Sequence, residues 1–126
     1  MKLNAVGVSS KHLKRTLAFY KILRFEFPDL KEKDQHIESI NNKSSTKLMI
    51  DKVELVKEIM GENPKPGNHS SFAVQYDSPH EIDEVVNRLR KENFKVVKEP
   101  WDAFWGQRYA IVEDPDGYKI DLYAYL

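Results

Sequence analysis

The order strand, helix, strand, strand, strand runs through this chain twice, and that repetition limits the available folds more than any other feature. In the first pass Leu3–Val8 reads as a strand and Ser9-Ser10 as a helix cap. A helix follows over Lys11–Leu23, with Leu13, Leu17, Tyr20 and Ile22 or Leu23 as its apolar stripe. Phe25-Glu26-Phe27 alternates as a strand and stops at Pro28-Asp29. His36–Ile40 and Thr46–Asp51 alternate again, on either side of a loop at Asn41–Ser45. In the second pass His69–Tyr76 is the strand. Ser78, Pro79 and Glu81 open a helix as N-cap, first residue and capping-box partner. Ile82, Val85, Val86 and Leu89 form its buried stripe. Phe94–Val97 is the next strand, ended by Glu99-Pro100, and Gln107–Val112 and Tyr118–Tyr125 flank the turn Asp114-Pro115-Asp116-Gly117. Lys47-Leu48-Met49-Ile50 matches Lys119-Ile120-Asp121-Leu122 in its polar/apolar alternation. The expected organisation is one domain over residues 1–126: a first module over about 1–60, a Pro/Gly linker at 61–68 and a second module over 69–126. Val53–Met60, before the linker, is expected as a short helix.

Strand parity then assigns faces, because successive side chains point to opposite sides of a sheet. Val6 and Val8 oppose Ala5 and Gly7, and Leu48 and Ile50 oppose Lys47 and Met49. Phe72 and Val74 oppose His69, Ser71, Ala73 and Gln75, while Ile120, Leu122 and Ala124 oppose Lys119, Asp121, Tyr123 and Tyr125. The aliphatic set should pack on the helix of its module. The opposite set is small, polar or aromatic, which is the composition of a small-molecule cavity rather than of a core.

Composition removes several classes of function. Lys plus Arg and Asp plus Glu are both 20, so a neutral chain has no bulk attraction for nucleic acid or an anionic membrane. With no cysteine, disulfides, thiolate metal sites and thiol nucleophiles are excluded. No apolar run approaches the ~20 residues that span a bilayer. Met1-Lys2-Leu3-Asn4 does not read as a signal-peptide core, so a cytoplasmic, reducing location is the expectation. No Gly-rich phosphate loop is present.

The helix end Ala18-Phe19-Tyr20-Lys21-Ile22-Leu23-Arg24-Phe25 and the tail Trp105-Gly106-Gln107-Arg108-Tyr109 … Asp114-Pro115-Asp116-Gly117, set on two βαβββ modules, resemble the vicinal oxygen chelate superfamily of glyoxalases, bleomycin-resistance proteins and extradiol dioxygenases. The resemblance covers nearly the whole chain. It implies an α+β fold whose two modules form a curved, U-shaped mixed sheet with helices on the outer face, and a homodimer. It also maps the metal positions of metal-dependent members onto Ala5, Met49, His69 and Asp121. Ala5 has no donor atom, and Met49 offers a thioether to ions that prefer oxygen and nitrogen. Asp121 stands where Glu is more usual, and Ser71 competes with His69 for one slot. Catalytic zinc needs ~3 protein ligands, so a His69/Asp121 pair is half a site, and a simple hydrogen bond between the two is the blander expectation. His12, His36 and His80 show nothing converging on them: His36 and Glu38 share a face, and the other two open helices.

Trp101, Phe104, Trp105 and Tyr109 lie within nine residues of Arg108. Such rings beside a guanidinium suit a planar or anionic ligand, or bury at a module or dimer interface. The resemblance favours the cleft. The leading expectation is a small-molecule-binding protein that sequesters or senses a small aromatic or anionic compound, with His69, Trp101, Trp105, Arg108, Asp121 and Tyr123 at the ligand and no cofactor. The runner-up is a metal-dependent glyoxalase-like lyase, isomerase or dioxygenase whose divalent ion gains ligands from a partner chain or the substrate. A third reading is a structural dimer with no ligand. No catalytic residue is named by the sequence.

Overall fold

A computed structural model describes residues 1–40 and 46–126, arranged as two compact α+β units, Met1–Lys65 and Pro66–Leu126. The expected loop at 41–45 lies outside the described residues. No helix among the described residues is long and apolar enough to cross a membrane.

The first unit contains β1 (Ala5–Ser10), α1 (Leu13–Ile22), β2 (His36–Glu38), β3 (Lys47–Lys52) and α2 (Val53–Met60). Its sheet has the order β1-β3-β2, with β1 parallel and β2 antiparallel to β3. Val8, Ile37, Leu48 and Ile50 are buried, as are Leu13, Leu17, Phe19 and Tyr20 of α1, so apolar parity and helical periodicity converge on one core. Two expectations need correction. Phe25-Glu26-Phe27 is not a strand. Among the described residues one backbone bond, from the Ile40 N–H to the Glu26 carbonyl, ties it to the segment after β2, and Pro28, which lacks an N–H, follows at once. Ser9-Ser10 does not cap α1: His12 is the N-cap, without a side-chain cap bond. Ser10 continues β1 and its buried hydroxyl pairs with that of Thr16 at 2.6 Å.

The second unit contains β4 (Ser70–Gln75), α3 (Pro79–Lys91), β5 (Lys95–Ala103), β6 (Gln107–Glu113) and β7 (Lys119–Tyr125). The sheet order is β4-β7-β6-β5, with β4 parallel to β7 and the other pairs antiparallel. The capping box forms as the sequence indicates: the Ser78 N–H donates to Glu81 Oε2 at 2.8 Å. Ile82, Val85, Val86 and Leu89 are buried, as are Ala110, Val112, Ile120, Leu122 and Ala124 of the sheet. β5 runs past Glu99-Pro100, where the sequence suggests an end. It can do so because it is the outermost strand and its pairing with β6 shifts register twice, so the missing Pro100 N–H costs no ladder bond that the sheet needs.

Candidate functional site

The face of the second sheet that turns away from the aliphatic core carries a band of aromatic rings. Register explains it. Trp101 pairs with Tyr109, and Tyr109 with Tyr123, so the pleat sends all three side chains to the same side. Trp101 and Tyr109 have ring centroids 5.4 Å apart, and Tyr109 and Tyr123 stack at 6.1 Å. Trp105 reaches back onto the band from the β5–β6 turn, edge-on to Trp101 at 6.1 Å and to Tyr109 at 5.5 Å. That turn depends on Gly106, whose φ of 87° is a left-handed conformation that glycine takes without strain. The indole N–H of Trp105 donates to Gln107 Oε1 at 2.9 Å, and the Tyr123 hydroxyl to Gln75 Oε1 at 3.1 Å.

One carboxylate borders the rings. Asp121 neighbours Tyr123 by parity on β7 and accepts from two hydroxyls: Tyr109 OH donates to Oδ2 at 2.6 Å, and Ser70 Oγ to Oδ1. Burial, followed by the bond to Asp121, pushes the Tyr109 phenol above its ordinary value, so it is a neutral donor in the physiological range. The site is therefore an apolar wall of packed rings with one hydrogen-bonded carboxyl group at its foot.

Four of the residues expected at a ligand come together here: Trp101, Trp105, Asp121 and Tyr123. Arg108 does not join them. It has the opposite parity to Tyr109, and its guanidinium is held by Asp83 of α3, at 3.1 and 2.8 Å, and by Asp102 of β5, at 2.9 Å. Those two carboxylates, Asp83 first, raise its pKa further. Closeness in sequence to the tryptophans conceals this, because adjacent strand residues face opposite ways. His69 does not join them either. It is exposed, precedes β4, and its Nδ1 lies 3.2 Å from the Ser70 carbonyl. Besides Tyr109, the hydrogen-bonded partner of Asp121 is Ser70, not the expected His69. A register shift between Ser70 and Phe72 sets Ser70 opposite Lys119, as Ala5 sits opposite Lys47 in the first unit.

Two of the four mapped metal positions bring no oxygen or nitrogen side-chain donor to an ion. Ala5 has no donor atom, Met49 has only sulfur, and both oxygens of Asp121 already accept from hydroxyls. Among the described residues, no group of three or more His, Cys, Asp or Glu side chains is placed to hold one.

The first unit holds a constellation of which the sequence shows only His36 and Glu38 on one face; contrary to expectation, Asp51 and Lys47 converge on them. His36 pairs with Asp51 across β2–β3, which puts Asp51, His36, Glu38 and Lys47 on the face opposite the core. His36 Nδ1 lies 2.5 Å from Asp51 and Nε2 lies 2.9 Å from Glu38, and Lys47 Nζ reaches the other Glu38 oxygen at 2.9 Å. The pairing of Asp51 with His36, which are 15 residues apart, is the absent signal, because the register of β2 cannot be read across its loop. The bond to Asp51, then that to Glu38, raises the His36 pKa, while His36 and Lys47 lower that of Glu38. A raised histidine contributes stability that is full below its ordinary 6.5 and is lost as pH rises through the folded value. A lowered Glu38 contributes above its ordinary 4.5 and loses this as pH falls. The network is thus strongest between 4.5 and 6.5. Solvent screening of these half-exposed groups limits the effect to about 1 kcal/mol or less. Urea unfolding followed by circular dichroism should show that loss as pH rises above 6.5 in the wild type, and a smaller loss in His36→Gln.

Residues 2–122 match the family model described as Glyoxalase/Bleomycin resistance protein/Dioxygenase superfamily. No curated protein matches the chain. Among solved structures, a glyoxalase-related enzyme from Fulvimarina pelagi aligns with a TM-score of 0.82 and 16% identity, over 98% of this chain and 88% of that one. A glyoxalase/bleomycin resistance protein/dioxygenase family enzyme from Burkholderia phytofirmans gives 0.79 and 14%, over the whole of both chains. A lactoylglutathione lyase from Agrobacterium tumefaciens gives 0.67 and 17%, over 96% of this chain and 91% of that one. At these identities the likeness is one of fold.

Proposed function

The chain belongs to the glyoxalase/bleomycin resistance protein/dioxygenase superfamily, and from that premise we propose that it binds a small aromatic molecule on the ring-bearing face of its second sheet, without a complete metal site. The observation that carries this reading is the contact between Trp101, Trp105, Tyr109 and Tyr123, which makes a wall ending at the Asp121 carboxylate. Trp105 stays 48% exposed although it touches other rings, so much of its surface remains open to a guest. A planar ligand gains apolar burial and edge or face contact with these rings, and Asp121 and its two hydroxyl partners set a polar limit to the site. Sequestering or sensing such a compound needs no more than this. That Ala5 brings no donor atom and Met49 only a thioether supports a reading without a resident metal.

Both tryptophans of the chain belong to the wall, so their emission is an internal reporter. Titration with naphthalene-sized aromatics is expected to quench that emission saturably and to raise the unfolding midpoint. The stabilisation should be about 2.7 kcal/mol at 100 times the dissociation constant. Trp105→Ala should weaken binding about tenfold or more, given ~1–3 kcal/mol for a stacking ring. Absence of both quenching and thermal stabilisation would leave an interface as the use of these rings. Stoichiometric metal in protein purified without chelator, lost in Asp121→Ala, would establish the metal-dependent alternative.

A further inference from the structure

We propose that the guest of this wall is an aromatic anion and that Lys98 is the residue that reads its charge; the proposal rests on the wall being a ligand site. Arg108, the cation that the sequence offers for this role, is on the opposite side of the sheet and is bound by two aspartates. Lys98 is on the ring side, paired with Ile111 across β5–β6. Register shifts on both sides of it, between Val96 and Lys98 and between Lys98 and Trp101, redirect the strand locally. The result places Lys98 Nζ over the Trp101 ring, 4.4 Å from its centroid.

The charges on this face leave Lys98 unmatched. Lys95 is 3.6 Å from Glu113, so those two offset each other. Asp121 is occupied by Tyr109 and Ser70. Lys98 and Lys119 make no ion pair among the described residues, and of the two only Lys98 stands on an aromatic ring. The indole holds the ammonium where it is and so reduces the ordering that a flexible lysine would otherwise undergo on binding. A guest ring packed against Trp105 and Tyr109 would bring an attached carboxylate within reach of this ammonium. A cationic guest would meet repulsion there.

The test compares 2-naphthoate, the isosteric neutral 2-naphthamide and a 2-naphthylmethylammonium salt by tryptophan quenching at low and high salt. In the wild type the carboxylate should bind about three- to tenfold more tightly than the amide, and added salt should narrow the gap. Lys98→Gln should remove the preference, and Lys98→Arg should restore it. Arg108→Gln should leave the preference intact. Equal binding of carboxylate and amide, tighter binding of the ammonium compound, or a preference that survives Lys98→Gln would overturn the role of Lys98 with the wall still a ligand site. Failure of all three probes to bind would instead remove the wall reading itself, and this inference with it.

Discussion

Leu122→Ala is expected to cost the second unit about 2–5 kcal/mol, well beyond what a surface substitution in the same sheet would cost. Leu122 is fully buried on β7, between two strands that direct Ala110 and Val74 to the same side, and α3 brings Val85, Val86 and Leu89 to that core. Truncation removes transfer energy and leaves a void that a close-packed interior fills poorly. Tyr125 provides the contrast. It is three residues further along the same strand, has the opposite parity and is 61% exposed, so Tyr125→Ala should stay within about 1 kcal/mol. Urea unfolding read by tryptophan emission measures both, because both indoles lie in this unit. Similar costs for the two variants, or the larger cost at Tyr125, would mean that the two faces of the sheet are wrongly assigned.

Asp114→Ala should rank next, at about 2–4 kcal/mol. Asp114 is 3% exposed at the β6–β7 turn, and its Oδ1 accepts from the N–H groups of Asp116 at 2.9 Å and Tyr118 at 3.0 Å. Gly117 completes the turn at φ 98°, with its N–H bonded to the Asp114 carbonyl. Alanine would leave two backbone donors without their anionic partner, whereas Asn, which keeps an acceptor oxygen, should lose about half as much. The turn also sets the β6–β7 register that brings the Tyr109 hydroxyl to Asp121. Hydrogen exchange across β6–β7 should therefore rise in Asp114→Ala together with the fall in stability. A stability loss in Asp114→Asn equal to that of the alanine variant would show that charge, rather than acceptor geometry, holds the turn.

Much of this fold is legible in the sequence because local rules and burial agree. The capping box at Ser78 and Glu81, the stripe from Ile82 to Leu89, the Asp-Pro-Asp-Gly turn and the alternation of Lys119–Tyr125 each hold a local signal that the packed structure keeps. Parity also places Asp121 and Tyr123 on the side away from the helix. Errors arise where a decision lies between strands. A single shift at Ser71 moves Ser70 into the position assigned to His69. Nearness in sequence puts Arg108 with the tryptophans, although one step along a strand reverses its direction. The His36–Asp51 bond and the position of Lys98 over Trp101 depend on pairing registers that no window of residues contains.

Pro100 in the middle of β5 has a consequence for how the molecule behaves among its own copies. An outermost strand offers a row of free amides and carbonyls to any extended segment that drifts past. Here that row is interrupted by a residue with nothing to donate, is bent by two irregularities, and bears Lys95 and Lys98 close by. Such an edge is a poor template for an added strand, so the sheet can stop at four strands instead of growing into a fibril.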